Sequence, residues 1–300
     1  EISKSYGFSK VGITQAVPIP KEKSRLKDWI NSSYHADMHW IDKRFEERSD
    51  IVSYYPFAKS VISLATNYFT GINESNNESK ISNYAWGDDY HKVIKPRLYS
   101  ILNEIKLIMN DVEGVVCIDT SPVMEKVWAQ KAGLGWIGKH TNLISRDFGS
   151  WIFLSEIILN IDLEKDKPFI EDLCGTCVAC IDACPTNALS DYVLDSNKCI
   201  SYQTIEHKGS FSSITPNPAD FSGYIYGCDI CQEVCPWNIK FSRRSDEPLF
   251  QKREMIEKFE SIGWDGLNQE NFRETFKNSA VKRTKFIGLQ RNINYIKGKC

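Results

Sequence analysis

The chain has 300 residues, of which 42% are hydrophobic and 25% are charged, and its formal net charge is −2. This composition is typical of a globular protein with room for two domains and their cores. No apolar stretch approaches the roughly 20 residues of a membrane-spanning helix, and no signal peptide is recognised. We therefore expect a cytoplasmic protein without a membrane role.

The first part of the chain, residues 1–165, alternates helical and strand patterns, as expected of an α/β or α+β domain. The patterns predict helices at 21–33, 38–48, 88–110 and 122–132, and strands at 60–68, 114–119, 141–146 and 151–159. A low-complexity loop at 71–80 interrupts them. Residues 166–240 are predicted to form a second domain, and residues 241–300 a short, helical and basic third region.

Two polar stretches of the first domain are candidates for chemistry. His91 lies near the start of the predicted 88–110 helix and is either a site residue or a core histidine with a satisfied hydrogen bond. Asp119 ends an apolar strand, and partial burial would raise its pKa and suit it to donate a proton. The alternative is that this stretch caps the next helix, which Thr120 or Ser121 could do equally well.

A G-x-G-x-x-G pattern is formed by Gly133, Gly135 and Gly138. A dinucleotide site requires a strand before this pattern and a helix after it. Here a helix precedes and a strand follows, so we reject a dinucleotide site. Glycines allow a close approach to the backbone. Together with Gly149 they lead us to expect a bulky, flat cofactor against a belt of glycines.

Eight of the ten cysteines follow the spacing of two-cluster ferredoxins. In a C-x₂-C-x₂-C-x₃-C-P run the fourth cysteine ligates the other cluster. This rule assigns one 4Fe-4S cluster to Cys174, Cys177, Cys180 and Cys235. The second cluster is then assigned to Cys184, Cys199, Cys228 and Cys231. The prediction is a bacterial ferredoxin-like domain that transfers single electrons.

Two other uses of these cysteines are disfavoured. A structural zinc site prefers two pairs of Cys, or pairs of Cys and His, and no His lies within the first run. A disulfide framework belongs to small secreted chains. Of the two spare cysteines, Cys117 lies in an apolar run and is predicted to be buried, whereas Cys300 has no predicted role.

The third region is basic. From residue 241 onward it contains 13 Lys and Arg against 8 Asp and Glu. Such a stretch is most often a solvated helix face, but it can also bind a polyanion. Lys282, Arg283, Lys285 and Arg291 are interleaved with aromatic residues, which favours the polyanion.

A family resemblance is carried by the first cysteine run and by five further segments: YAWGDDYHKV, IDTSPVMEKVWAQKAGLGWIGKHTNLI, GSWIFLSEI, CISYQTIEHKG and YGCDICQEVCPWN. These segments closely resemble the epoxyqueuosine reductases, over residues 2 to about 297. The resemblance implies a cobalamin-dependent iron–sulfur reductase. Such an enzyme removes the epoxide oxygen from a modified wobble base of tRNA, the last step of queuosine synthesis. It also implies a nitroreductase-like core similar to that of the reductive dehalogenases.

The resemblance further implies roles for individual residues. Asp119 matches the proton donor of the family. Cobalamin, bound without its own base on cobalt, is expected to contact Arg48, Ser82, His91, Asp119, Lys126, Lys139, Leu143, Leu154, Ser201 and Asp229. The tRNA is expected to contact Lys208, Lys282, Arg283, Lys285 and Arg291.

The chain departs from some members of the family. Ser82 stands where some members have Cys, so that Cys cannot be essential here. Asp89 and His91 begin a D-x-H-x-x-G cobalamin motif, but Ile94 replaces its glycine. The helical-repeat extension of longer members is not expected after residue 300, so the basic third region and the rim of the first domain are expected to hold the tRNA.

The expected partners are tRNA and an external one-electron donor such as a flavodoxin or a ferredoxin, and the expected state is a monomer. Two alternatives stay open at this point. One is a corrinoid-dependent reductase of a small molecule, of the reductive dehalogenase type. The other is a ferredoxin-type electron carrier with an appended binding domain.

Overall fold

The computed structural model describes residues 1–72, 79–211 and 215–298. Its strands are β1 Lys10–Gln15, β2 Ser60–Asn67, β3 Lys80–Ile81, β4 Gly114–Cys117, β5 Trp136–Ile137, β6 Leu143–Ile144, β7 Ile152–Leu159, β8 Leu189–Ser190, β9 Val193–Leu194 and β10 Tyr224–Tyr226. Its α-helices are α1 Ile2–Ser5, α2 Pro20–Asn31, α3 Phe45–Ser49, α4 Ile51–Tyr54, α5 Tyr90–Ile108, α6 Glu125–Lys131, α7 Ala179–Asp182, α8 Ile200–Ile205, α9 Ile230–Glu233, α10 Pro236–Phe241, α11 Glu254–Ile262, α12 Gln269–Thr275 and α13 Lys285–Ile296. Short 3₁₀ helices cover Asp42–Arg44, Asn83–Ala85, Pro218–Phe221, Pro248–Phe250 and Ala280–Thr284.

A four-stranded antiparallel sheet forms the centre of the first domain, in the order β1-β2-β7-β4. Every residue of β2 and β7 is buried, because helices cover both faces of the sheet. On one face α5 contributes Ile94 and Leu98 to the main core. On the other face α6 contributes Val127 and Trp128. Burial of each such side chain stabilises the fold by about 1.5–3 kcal/mol.

Two helices and two strands predicted from the periodicity of apolar residues are confirmed by the structure. The helices predicted at 21–33 and 88–110 correspond to α2 and α5, and the strands predicted at 60–68 and 151–159 correspond to β2 and β7. The start of α5 is capped by Asp89, whose side chain accepts a hydrogen bond from the His91 backbone at 3.1 Å. This cap satisfies a backbone N–H that the helix itself leaves unpaired.

Other segments differ from the prediction. Instead of one helix at 38–48 the chain forms turns, a 3₁₀ helix and α3. Distant parts of the chain contact its beginning: Arg283 lies 5.5 Å from the Trp40 ring centroid, and Tyr202 Oη donates to Asp37 Oδ2 at 2.8 Å. The α6 helix begins three residues after Pro122. The strand predicted at 141–146 is reduced to β6, and β1 was not predicted. Within the predicted 71–80 loop, residues 73–78 lie outside the described part.

The C-terminal region is packed into the fold rather than forming a separate tail. Trp264, Phe276 and Leu289 share a core with Trp86 and Tyr226. The cysteine-rich region is also joined to the first domain by the parallel pairing of β3 with β10. Domain boundaries at 165 and 240 stay predictions. Among the described residues, none of the helices combines the length and apolar character needed to span a bilayer.

Candidate active site

A cleft lies between the sheet domain, the cysteine-rich region and the 3₁₀ turn Ala280–Thr284. It consists of three adjoining cavities of about 680, 260 and 190 Å³, and Tyr84 lines all of them. We call these three cavities together the central cleft. Its dimensions are in the range of sites for cofactors and small molecules.

The central cleft brings together eight of the ten residues expected to contact cobalamin: Ser82, His91, Asp119, Lys126, Leu143, Leu154, Ser201 and Asp229. Arg48 and Lys139 are not among its lining residues. The Arg48 Nε atom is buried and has no hydrogen-bond partner among the residues that the structure describes. Lys139 is also buried, and its Nζ atom lies 3.4 Å from a carboxylate oxygen of Asp191.

At the cleft, His91 bridges two carboxylates. Its Nδ1 atom lies 2.8 Å from Asp89 Oδ1, and its Nε2 atom lies 3.2 Å from Asp119 Oδ2. Burial by itself lowers the pKa of His91, but the hydrogen bonds to Asp119 and Asp89 outweigh burial and raise it to about 9. At neutral pH His91 is therefore a cation between two anions. His91 lines the cleft and is partly exposed, so it is not a core histidine.

The same contact reverses the expected pKa shift of Asp119. Partial desolvation by the walls of the cleft raises its pKa, as the sequence suggested, but the hydrogen bond and the charge of His91 outweigh this effect, so the net pKa is lowered. The expectation of a raised pKa was wrong, because His91 is 28 residues away in the chain and contacts Asp119 only in the folded protein. The proton of this pair resides on the imidazolium.

The backbone of Asp119 has a left-handed conformation, with φ of 50°. This conformation costs a residue other than glycine roughly 1–2 kcal/mol. The Asp119 N–H donates to Glu125 Oε1 at 2.5 Å, which ties this turn to the first residue of α6. The helix-cap alternative for this stretch is wrong, because the N-cap position of α6 is Met124.

Glu125 also lines the cleft, although the sequence did not indicate it as a candidate site residue. It lies inside a segment that carries the family resemblance. Burial, and then the negative charge of Asp119, raise the pKa of Glu125 to about 8. Its neighbour Lys126 extends into the cleft and donates to Asn142 Oδ1 at 3.0 Å. Burial lowers the pKa of Lys126. An acid and a base therefore flank Asp119 on the sheet side of the cleft.

The eight cluster-type cysteines lie in two groups. Burial, followed by the neighbouring thiols of Cys235, Cys174 and Cys177, raises the pKa of Cys180 to about 11. The other four, Cys184, Cys199, Cys228 and Cys231, all line the central cleft. All nine cysteines among residues 1–72, 79–211 and 215–298 are free, so none of these is in a disulfide. Two sets of four thiols are the donors that two iron–sulfur clusters need.

Two other cysteine predictions have separate outcomes. Cys117 is buried in the core beside Trp128, as predicted. Cys300 lies outside the described residues.

The four glycines of the belt are not among the residues that line the central cleft, which does not favour the expected contact with a cofactor. A Cβ atom on Gly135 would lie 2.0 Å from the carbonyl oxygen of Ile144, and one on Gly149 would lie 2.0 Å from Asn238 Oδ1. These glycines are required by the close approach of the protein's own chain. The sequence could not distinguish the two causes, because both need a residue without a side chain.

The basic residues proposed for tRNA differ in their surroundings. Lys282 and Arg283 line the cleft near Asp119, and Lys208 and Lys285 are exposed. Arg283 is held by Glu206, with an N–O distance of 2.8 Å. Arg291 donates to the carbonyl oxygens of three residues in the 203–209 stretch and stacks over Phe211. These contacts make Arg291 a structural residue, so they do not favour its predicted role in tRNA binding.

Two family models match this chain, one in the first domain and one in the cysteine-rich region. A family model described as "Epoxyqueuosine reductase QueG, DUF1730" matches residues 48–120. A model described as "4Fe-4S double cluster binding domain" matches residues 173–238. An epoxyqueuosine reductase of Leadbetterella byssophila is 45% identical over 295 residues, which cover 97% of this chain and 94% of that protein. One of Cyclobacterium marinum is 43% identical over 300 residues, with 98% and 94% covered.

Solved structures of epoxyqueuosine reductases also match, each over 99% of this chain and 79% of theirs. One, with a tRNA-Tyr epoxyqueuosine-modified stem loop, has a TM-score of 0.84 at 27% identity. One from Streptococcus thermophilus has a TM-score of 0.83 at 29% identity. One from Bacillus subtilis, with an aspartate-bearing catalytic loop swung out of the active site, has a TM-score of 0.85 at 26% identity.

Proposed function

Because this chain belongs to the epoxyqueuosine reductase family, we propose that it reduces epoxyqueuosine in tRNA to queuosine. The reaction consumes two electrons and two protons, and it converts the epoxide into an alkene and water. The observation that carries the proposal is the juxtaposition, in one cleft, of the His91–Asp119 pair with four cluster-type cysteines. A related structure that contains an epoxyqueuosine-modified tRNA stem loop supports the substrate.

The two cysteine sets support a direction of electron flow. Cys177 of the first set is exposed, whereas the second set lines the cleft. When bound, the two 4Fe-4S clusters supply single electrons. We propose that an external one-electron donor reaches the first set, and that the second set delivers to the cleft. The assignment of Cys235 to the first set and of Cys184 to the second is part of this proposal.

The residues of the cleft fit a large cofactor such as cobalamin. The His140 Nε2 atom is buried and lacks a hydrogen-bond partner within the described part of the chain, although His140 lines the cleft. The walls of the cleft carry polar side chains from Ser82, Lys126 and Asp229. They also carry apolar side chains from Leu143 and Leu154. We propose that these residues hold cobalamin. The chemistry that cobalamin supplies when bound is reduction at carbon by low-valent cobalt.

Asp119 and His91 are proposed to provide protons as a pair. The His91 imidazolium stores the proton, with a pKa of about 9, and Asp119 is the exposed end of the pair in the cleft. Asp119 would take the proton from His91 Nε2 as charge develops on the departing epoxide oxygen and pass it to that oxygen. Since the catalytic loop of the Bacillus subtilis relative can swing out, we propose the same movement for the Asp119 loop.

A substitution of Asp119 tests the proposal directly. We expect Asp119→Asn to retain iron and corrin but to lose turnover of epoxyqueuosine-bearing tRNA by at least about a hundredfold, the lower range for general acid catalysis. Asp162→Asn, at an exposed position, is the control and should keep the wild-type rate. Wild-type turnover in Asp119→Asn would remove its catalytic role.

The two alternatives are not favoured. A plain electron carrier predicts no corrin uptake after anaerobic reconstitution. A small-molecule reductase predicts no product from epoxyqueuosine tRNA, and no competition by tRNA for its substrate. The monomeric state and the cytoplasmic location stay predictions.

A further inference from the structure

A second cluster of potential metal ligands lies on the segment between α2 and α3. One ring nitrogen each of His35 and His39 and one carboxylate oxygen of Asp42 lie within 4.8 Å of one another. We propose that these three residues bind a divalent transition-metal ion such as Zn²⁺, at a site separate from both cysteine sets and from the proposed cobalamin contacts.

Unpartnered buried atoms point to a ligand at this site. His35 is only 7% exposed, yet its Nδ1 atom has no hydrogen-bond partner within residues 1–72, 79–211 and 215–298. The same holds for the Oδ1 atom of Asp42, which is also buried. Nearly all buried polar atoms of native proteins are paired, and an ion is one of the few explanations for those that are not. Two such atoms in neighbouring ligand-type side chains are better explained by one shared ion.

The local backbone suits a metal site. Ser33 and Ala36 have positive φ values of 56° and 51°, so the chain turns sharply around His35. Asp42 then begins a 3₁₀ helix, which gives the spacing H-x₃-H-x₂-D. The rings of His35 and His39 are 5.5 Å apart, and His39 Nδ1 lies 3.8 Å from Asp42 Oδ2.

Small side-chain rotations would complete the coordination. The side chain of His39 is 61% exposed and that of Asp42 38% exposed, so both are free to approach the buried His35. Bonds from Zn²⁺ to His nitrogen and to carboxylate oxygen are about 2.0–2.2 Å long, and three protein ligands with one water give a tetrahedron. Imidazole and carboxylate donors favour Zn²⁺ over Mg²⁺ or Ca²⁺, which prefer oxygen alone.

The ion would stabilise one wall of the central cleft. Met38, between the two histidines, lines the largest of the three cavities. The same segment is bonded to the cysteine-rich region, since Tyr202 Oη donates to Asp37 Oδ2 at 2.8 Å. Metal binding at the base of this loop would therefore order a contact between the first domain and the cysteine-rich region.

Zinc binding to the anaerobically reconstituted protein tests the proposal without any activity assay. After incubation with Zn²⁺ and desalting, we expect about one zinc per chain with the iron content unchanged. His39→Ala should weaken zinc binding at least tenfold, since it removes one of three protein ligands. His207→Ala is a matched control, because His207 contacts the same loop, 3.8 Å from Asp37, but lies outside the three ligands. It should bind zinc within about twofold of wild type.

X-ray absorption at the zinc edge identifies the ligands. The proposal predicts nitrogen and oxygen neighbours at about 2.0–2.2 Å and no sulfur neighbour, which would lie near 2.3 Å. It is overturned if no zinc is retained, if His39→Ala binds zinc like wild type, or if sulfur is found in the coordination shell. Each of these outcomes is independent of whether the protein reduces epoxyqueuosine.

Discussion

The hydrogen bond between the Asp119 backbone and Glu125 is predicted to keep the Asp119 loop in place. The loop is strained, since Asp119 has a positive φ, and Glu125 Oε1 accepts its N–H at 2.5 Å. Glu125→Ala removes this acceptor and leaves the strain unopposed. We expect the loop to open more often, which would withdraw Asp119 from the cleft without removing its carboxylate.

The size of the effect follows from the state of Glu125. Its pKa of about 8 means that it is mostly protonated at pH 7, so the bond is one to a neutral acceptor. Losing such a bond and leaving its partner unpaired costs about 1–2 kcal/mol. This shifts the ratio of closed to open loop by a factor of about 5 to 30. Single-turnover reduction of an epoxyqueuosine tRNA stem loop should slow by up to the same factor, which is reached when the loop of the variant is mostly open.

Glu125→Gln is the matched control for this experiment. The amide oxygen of Gln can accept the same N–H, and Gln has the neutral charge that Glu125 mostly has at pH 7. We expect its rate to stay within about threefold of wild type. Hydrogen exchange of residues 118–124 should increase in Glu125→Ala and not in Glu125→Gln. If Glu125→Ala reduces the stem loop at the wild-type rate with unchanged exchange, Glu125 does not hold the loop.

Three further predictions concern pH, stability and tRNA binding. Because the pKa of His91 is raised to about 9, the stabilisation from its ion pairs is present at neutral pH and is lost as the pH rises through about 9. Turnover should therefore fall over that range. A turnover rate that stays constant through pH 9 would refute the proposal that His91 stores the proton. Trp128→Ala removes a fully buried side chain between α6 and the sheet and should lower the free energy of unfolding by about 3–5 kcal/mol in denaturant titration, whereas a loss below 1 kcal/mol would contradict the packing. Reversing the charges of Lys282 and Arg283 should weaken tRNA binding and make its salt dependence shallower. Lys27→Glu, at an exposed position, is the control. Equal tRNA binding by the wild type, the charge-reversed variant and the control would show that the rim of the cleft does not contact tRNA.

Local patterns in the sequence were sufficient for much of the fold. The apolar runs of β2 and β7 and the helical stripe of α5 depend on neighbours a few residues apart, and each was located to within about two residues. The spacing of the first cysteine run is also local, because one loop wraps one cluster. The helix predicted at 38–48 is wrong, and local patterns could not show that Trp40 and the preceding Asp37 contact Arg283 and Tyr202, which are far away in the chain.

The sequence by itself was sufficient for the family, for the eight candidate cluster cysteines and for Asp119 as the candidate acid, because these depend on residue types and on motifs along the chain. Only the tertiary structure decided how Asp119 is charged, since His91, 28 residues away in the chain, contacts its carboxylate through space. It also decided that the glycines accommodate the close approach of other parts of the protein's own chain, both backbone and side chains. The physical reason is the same in both cases: a pKa and a steric contact depend on which atoms are nearby in the folded chain, whatever their separation in sequence.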